Sequence, residues 1–138
     1  MQVPKPVRKK RDFKRKVTVE SNPLECIDQE TVAAWLDSRK VFYTISISGA
    51  YLHPATFNRL KRMGYKKGPS DMMIYDRPNI VENGMVYVGV CLEMKRKKGS
   101  VLSPEQKIWL DAMAERGWLV KVAYGCDDAI KFLQECGY

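Results

Sequence analysis

Residues 86–94 read VYVGVCLEM, and Val86, Tyr87, Val88, Val90, Cys91, Leu92 and Met94 make this a nearly unbroken apolar run rich in β-branched residues. Such a run predicts a buried strand. Glu93 falls at its end and Lys95 follows. Residues two apart on a strand project from one face, so a carboxylate and an ammonium stand side by side. Burying charges is costly unless each finds a partner or a metal. The pair therefore reads as a site, the competing account being a strand-end ion pair that runs into a solvated basic loop.

The Glu-x-Lys spacing is weak evidence by itself. The chain holds three acid-x-Lys triplets, beginning at Asp12, Glu93 and Glu105. The first lies in a charged tail. The third lies in a predicted helix, where side chains two apart do not face each other. What raises the middle one is Asp71, at the head of a short apolar strand spanning residues 72–75. An aspartate there also serves as a turn cap. A turn region containing Pro78 and Asn83-Gly84 joins the two strands, predicting antiparallel neighbours. In that arrangement Asp71 comes close to Glu93.

At 138 residues the chain is expected to form one folded domain over residues 20–138. No apolar run has transmembrane length and no signal-like segment opens the sequence, which predicts a cytoplasmic, unsecreted protein without membrane partners. The four cysteines, Cys26, Cys91, Cys126 and Cys136, lack Cys-x-x-Cys spacing and read as reduced structural thiols. His53 is the single histidine, which argues against a Cys/His zinc site and against a His-based nuclease motif. The net charge of +8 points to a polyanionic partner, nucleic acid before membrane, although basicity also serves solubility. Residues 1–19 form a basic arm containing Arg8, Lys9, Lys10 and Arg11, too poor in apolar residues to fold alone.

The remaining elements follow from local signals. Asn22-Pro23 opens a helix with an apolar stripe of Leu24, Ile27, Val32, Trp35 and Leu36. Glu25 and Gln29 share a face of it. Residues 41–48 alternate as a strand with Val41, Tyr43, Ile45 and Ile47 on one side. Pro54 begins a short helix with Phe57, Leu60 and Met63 on one face and Arg59, Lys61 and Arg62 outward, stopped by Gly64. After the basic loop of residues 95–98, Ser103 to Gln106 is a Ser-x-x-Gln capping box, opening a helix with Ile108, Trp109, Ala112 and Met113 inward. Capping alone accounts for Gln106. Residues 118–124 make a further strand and 127–136 a last helix. The connection between the central strand and residue 118 has βαβ length, so those strands should be parallel. The predicted fold class is α/β, a mixed β-sheet flanked by helices in the order α-β-α-β-β-α-β-α.

Two carboxylates converging on a lysine suit phosphodiester hydrolysis. Mg²⁺ takes hard oxygen ligands, one or two carboxylates with phosphate oxygens and waters. It polarises the phosphoryl group and acidifies its bound water. A lysine at that water can orient or deprotonate it and offset developing charge. Arg59, Arg62, Lys66 and Lys67 on one side, and Arg96, Lys97 and Lys98 on the other, would hold a nucleic-acid backbone without reading sequence.

The blocks GYKKGPSDMMIYD and CLEMKRKKGSVLSPEQKIWLDAMAERGWLVKVAYGCDDAIKFL resemble the virus-type replication-repair nuclease (VRR-NUC) domain of the PD-(D/E)XK superfamily. The resemblance covers roughly residue 23 to the C-terminus and is strongest over residues 64–124. The family's Gly-x-x-x-Gly-x-Pro-Asp block appears with Ser70 in the proline's place, while Glu93-x-Lys95 and the Ser-Pro-x-Gln start at Ser103 are intact. The resemblance implies a restriction-endonuclease-like core. It also implies that Asp71, Glu93 and the Met94 carbonyl bind Mg²⁺ (or Mn²⁺), that Lys95 serves the water and that Gln106 lines the site. The first-helix acid it implies falls on Glu25, with Glu30 competing. Stand-alone members, mostly phage or bacterial, are similar to Holliday-junction resolvases and act as homodimers. The expected activity is a structure-selective DNA endonuclease on branched DNA. The alternatives are a non-catalytic DNA-binding protein, or a small scaffold or interaction protein, keeping the same fold.

Overall fold

A computed structural model describes residues 23–47 and 52–138, with side chains from Ile27 onward. The elements are α1 (Pro23–Ser38), β1 (Tyr43–Ile45), α2 (Pro54–Arg62), β2 (Met72–Ile74), β3 (Val81–Glu82), β4 (Met85–Val86), β5 (Val90–Lys95), α3 (Pro104–Glu115), β6 (Leu119–Tyr124) and α4 (Cys126–Glu135). With the β3–β4 hairpin set aside, the order is the α-β-α-β-β-α-β-α expected from sequence.

Four strands form the main sheet in the order β1-β2-β5-β6. The first two pairings are antiparallel and β5–β6 is parallel, reached through α3. Strand alternation sorts the side chains. Met72, Ile74, Val90, Leu92, Met94 and Ala123 point to the face covered by α1 and α4, where they pack with Val32, Leu36, Ala129 and Leu133 as the hydrophobic core. Cys91, Glu93 and Lys95 point to the other face, and α3 packs against the β6 side of the sheet. Each fully buried core side chain contributes about 1.5–3 kcal/mol, which ties the central strand firmly into register.

Several local expectations are corrected. The apolar run of residues 86–94 is not one strand. Val86 belongs to the exposed β3–β4 hairpin, whose turn residues Asn83 (φ 51°) and Gly84 (φ 76°) both adopt the left-handed conformation of a type I′ turn. Gly89 then separates the hairpin from β5. A Cβ there would lie 2.4 Å from the Ile74 carbonyl oxygen and 2.6 Å from the Trp118 ring, so close packing across the sheet demands glycine. In α3 Leu110 is the buried residue, Gln106, Trp109, Ala112 and Met113 are half-buried, and Ile108, expected inward, is 67 % exposed. No residue of α2 is buried, and Met63 is exposed. β1 is shorter than expected and lies at the sheet edge, with Ile45 and Ile47 exposed. Ile27 also faces outward from α1.

Candidate active site

Asp71 sits one residue before β2. The antiparallel register Met72↔Leu92, extended by one step, sets Asp71 opposite Glu93. Its Oδ2 accepts a hydrogen bond from the Met94 backbone N–H at 2.7 Å. The loop that delivers Asp71 is clamped to α3. Trp109 Nε1 donates to the Lys67 carbonyl at 2.8 Å, and Gly68 (φ 109°) passes so close that a Cβ would lie 2.7 Å from the Glu105 carbonyl oxygen. Ser70, in the motif's proline position, is buried beside Cys91 and leaves the aspartate in place.

Glu93 is 1 % exposed and Lys95 8 %. Lys95 Nζ lies 3.0 Å from Glu93 Oε1 and donates to Gln106 Oε1 at 3.2 Å. Gln106 Nε2 donates to Glu93 Oε1. The same Gln106 Oε1 accepts from the Ser103 backbone N–H at 2.9 Å, and Ser103 Oγ accepts from the Gln106 N–H at 3.2 Å. Gln106 is thus both the capping residue of α3 and a bridge between the two charges. The two roles are not alternatives: one side chain fills both. With Oε1 facing two donors, the amide can turn only its NH₂ toward Glu93.

Burial pushes the Glu93 carboxyl up to about 7; the nearby Asp71 carboxylate adds to the shift, and Lys95 pulls against it. Its Oε2 is buried with no hydrogen-bond partner among the described residues. Such an atom needs a proton, a water or a cation. No cluster of three or more Cys, His, Asp or Glu side chains that could hold a metal occurs among the described residues, and the carboxylates that meet here are two, Asp71 and Glu93. Two carboxylates could hold a hard divalent cation that keeps several waters.

Other residues singled out in the sequence fall as follows. Glu25 lies in α1, its side chain outside those described, while Gln29 is half-buried and Glu30 exposed. Arg8, Lys9, Lys10 and Arg11 lie outside the described residues. Arg59, Arg62, Lys66, Lys67, Arg96, Lys97 and Lys98 are all exposed. Lys67 pairs with Glu105 at 3.7 Å and Lys97 with Asp127 at 3.5 Å. His53 caps α2, its Nδ1 accepting from the Ala55 N–H at 3.2 Å. Burial pushes the Cys91 thiol up to about 12, so this cysteine is structural. Cys91, Cys126 and Cys136 are free thiols. Tyr124, which the sequence did not single out, pairs in register with Lys95. Counting by twos back from the end of β6 would have placed it on that face. Among the described residues no helix is long and apolar enough to cross a membrane.

The chain is similar to a solved structure described as a VRR_NUC domain protein, at 27 % sequence identity and a TM-score of 0.63. The match covers 81 % of this chain and 86 % of the other. No family model matches the chain, and no curated protein matches it significantly. The resemblance read from the motifs is therefore borne out: the mixed sheet with flanking helices is a restriction-endonuclease-like fold of the VRR-NUC type.

Proposed function

We propose that this VRR-NUC-type domain is a Mg²⁺-dependent, structure-selective endonuclease that hydrolyses phosphodiester bonds in branched DNA, four-way junctions among them. The observation that carries the reading is the meeting of Asp71, Glu93, Lys95 and Gln106 at one end of the sheet. Asp71 and Glu93 would hold the ion, with Mn²⁺ able to replace Mg²⁺. The buried Oε2 of Glu93 is the atom a cation would satisfy. The N–H and C=O of a strand residue project from the same edge, so the Met94 carbonyl faces the edge on which its N–H meets Asp71, a third oxygen for the ion. When bound, the ion supplies Lewis-acid polarisation of the phosphoryl group and a more acidic water.

The chain's own groups do the rest. Lys95 neutralises Glu93 and keeps donor capacity for an attacking water or a developing oxyanion. Gln106 holds Glu93 and Lys95 at fixed separation, so neither must reorganise during reaction. Arg59, Arg62, Lys66, Lys67, Arg96, Lys97 and Lys98 hold DNA phosphates. The Lys67–Glu105 and Lys97–Asp127 pairs are exposed and weak, so both lysines can exchange a carboxylate for a phosphate. Symmetric incision of a junction takes two sites related by a two-fold axis, hence a homodimer. The exposed Ile45 at the end of edge strand β1 and Ile47 just beyond it favour that edge as the interface over α4, whose apolar residues pack inward.

The test is a panel of labelled four-way, flap, splayed and linear DNAs incubated with Mg²⁺ or Mn²⁺. Wild-type protein should cut branched DNA only with metal. Asp71→Asn and Glu93→Gln should each lower cleavage at least about 100-fold while still binding DNA. Cleavage at wild-type rates by either variant would overturn the site assignment.

A further inference from the structure

Tyr124 ends β6, and the parallel register sets it beside Lys95. Alternation gives it the face that carries Glu93 and Lys95, because its neighbour Ala123 points into the core. Its main chain is anchored twice. The Tyr124 N–H donates to Asp128 Oδ2 at 2.9 Å, and the next residue, Gly125, donates its N–H to the Lys95 carbonyl at 2.9 Å. Asp128 is itself held by Lys121 at 3.2 Å. The backbone of this tyrosine is thus fixed to the strand that carries the catalytic lysine.

The side chain behaves otherwise. Tyr124 is 46 % exposed beside an almost buried Lys95. The hydroxyls of Tyr43, Tyr87 and Tyr138 are each spent on a protein acceptor, the Ala33 carbonyl and Asp37, Glu82, and the Asp76 carbonyl respectively, while the rings of Tyr65 and Tyr75 pack against other aromatic rings. The Tyr124 hydroxyl makes no hydrogen bond to another described residue. A second group flanks it. The stem of Lys97 crosses directly over Gly125, where a Cβ would come within 2.7 Å of Lys97 Cε. Among the described residues its ammonium pairs with the exposed Asp127 alone. An exposed tyrosine in register with Lys95 is therefore followed at once by the residue over which the Lys97 stem lies.

We propose that Tyr124 is a substrate-positioning residue: its hydroxyl, with Lys97, hydrogen-bonds a DNA phosphate next to the one being cleaved. Tyrosine hydroxyls are ordinary donors to DNA phosphates and carry no sequence information. The inference rests on the nuclease reading above and adds a phosphate subsite to it.

The experiment measures affinity for a fluorescent four-way junction across a salt series, with Ca²⁺ in place of Mg²⁺, and steady-state cleavage with Mg²⁺. Tyr124→Phe should weaken affinity and raise KM about tenfold, the effect of one hydrogen bond to a charged acceptor, with kcat within twofold and an unchanged melting temperature. Because the phenol is uncharged, the salt slope should stay the same, whereas Lys97→Ala should reduce it by about 0.9. Tyr124→Ala should match Tyr124→Phe. Wild-type affinity and KM in Tyr124→Phe would overturn the proposal. A loss confined to Tyr124→Ala would assign the contact to the ring and overturn it as well. Wild-type protein that binds the junction without cutting it would refute the nuclease reading, while the affinity comparison would still decide Tyr124. Wild-type protein that does not bind would overturn both.

Discussion

Glu93 is a carboxyl kept out of water beside a second carboxylate, and the fold accommodates this by raising its pKa to about 7. Its ordinary value is 4.5, so the folded metal-free protein holds a proton that the unfolded chain has lost. The stability this gives is complete below about pH 4.5 and is lost as pH rises through about 7. The downward shifts of Glu105 and Asp128 act with the opposite sign at lower pH. The urea midpoint of metal-free protein should therefore fall between pH 5 and 8, and Glu93→Gln should remove most of that fall. Mg²⁺ at pH 8 should restore the wild-type midpoint but not that of the variant. Gln106 gives a second residue-scale test. Gln106→Ala loses both the capping box, worth about 1 kcal/mol, and the bridge. Gln106→Glu keeps a capping acceptor but sets a third carboxylate against Glu93. It should fold, with a thermal melt near wild type once Mg²⁺ is present, and yet cleave at least about tenfold more slowly. Full activity in a stable Gln106→Glu protein would leave the residue a cap only.

At the scale of elements, the sequence was informative wherever one rule acted alone. The joining turn region predicted antiparallel neighbours, and that alone brought Asp71 to Glu93. The capping box located the start of α3, and βαβ length gave the parallel β5–β6 pair. Misreadings arose where a tertiary contact overrode the local pattern. The break at Gly89 reflects the Trp118 ring and the Ile74 carbonyl, both distant in sequence. In α3 the apolar pattern places Trp109, Ala112 and Met113 correctly but takes Ile108 for Leu110, because the turn that faces the sheet begins with a polar residue, Gln106. Tyr124 was passed over because register, not composition, sets its place beside Lys95. Gly68 tests how far the loop depends on the helix beneath it. Gly68→Ala puts a Cβ against the first turn of α3 at a φ hostile to side chains. It should cost about 1–3 kcal/mol in urea unfolding. Cleavage should fall further than that loss of folded protein explains, since Asp71 is three residues away.

At the scale of the whole molecule, charge is distributed very unevenly. Residues 1–16 hold eight cations (Lys5, Arg8, Lys9, Lys10, Arg11, Lys14, Arg15, Lys16) against one acid, Asp12, a net +7 out of the chain's +8. The rest of the chain is close to neutral overall, so on the proposed reading long-range attraction to DNA would fall chiefly to residues 1–16. If the arm neutralises about 4 phosphates, deleting residues 1–16 should lower the salt slope of log affinity by about 3.6, with the greatest loss at low salt. Chemistry at saturating DNA should be unchanged. Sedimentation of the truncated protein should still give a dimer, and a strict monomer with and without DNA would contradict symmetric junction cleavage. The parallel pairing of β5 with β6 also bears on the order in which a chain leaves the ribosome. Asp71 and Glu93 are synthesised first and Gln106 next, but the Lys95 carbonyl finds its partner only once Gly125 has been added. The end of the strand that carries the site is therefore closed last, by a residue added well after Lys95 itself.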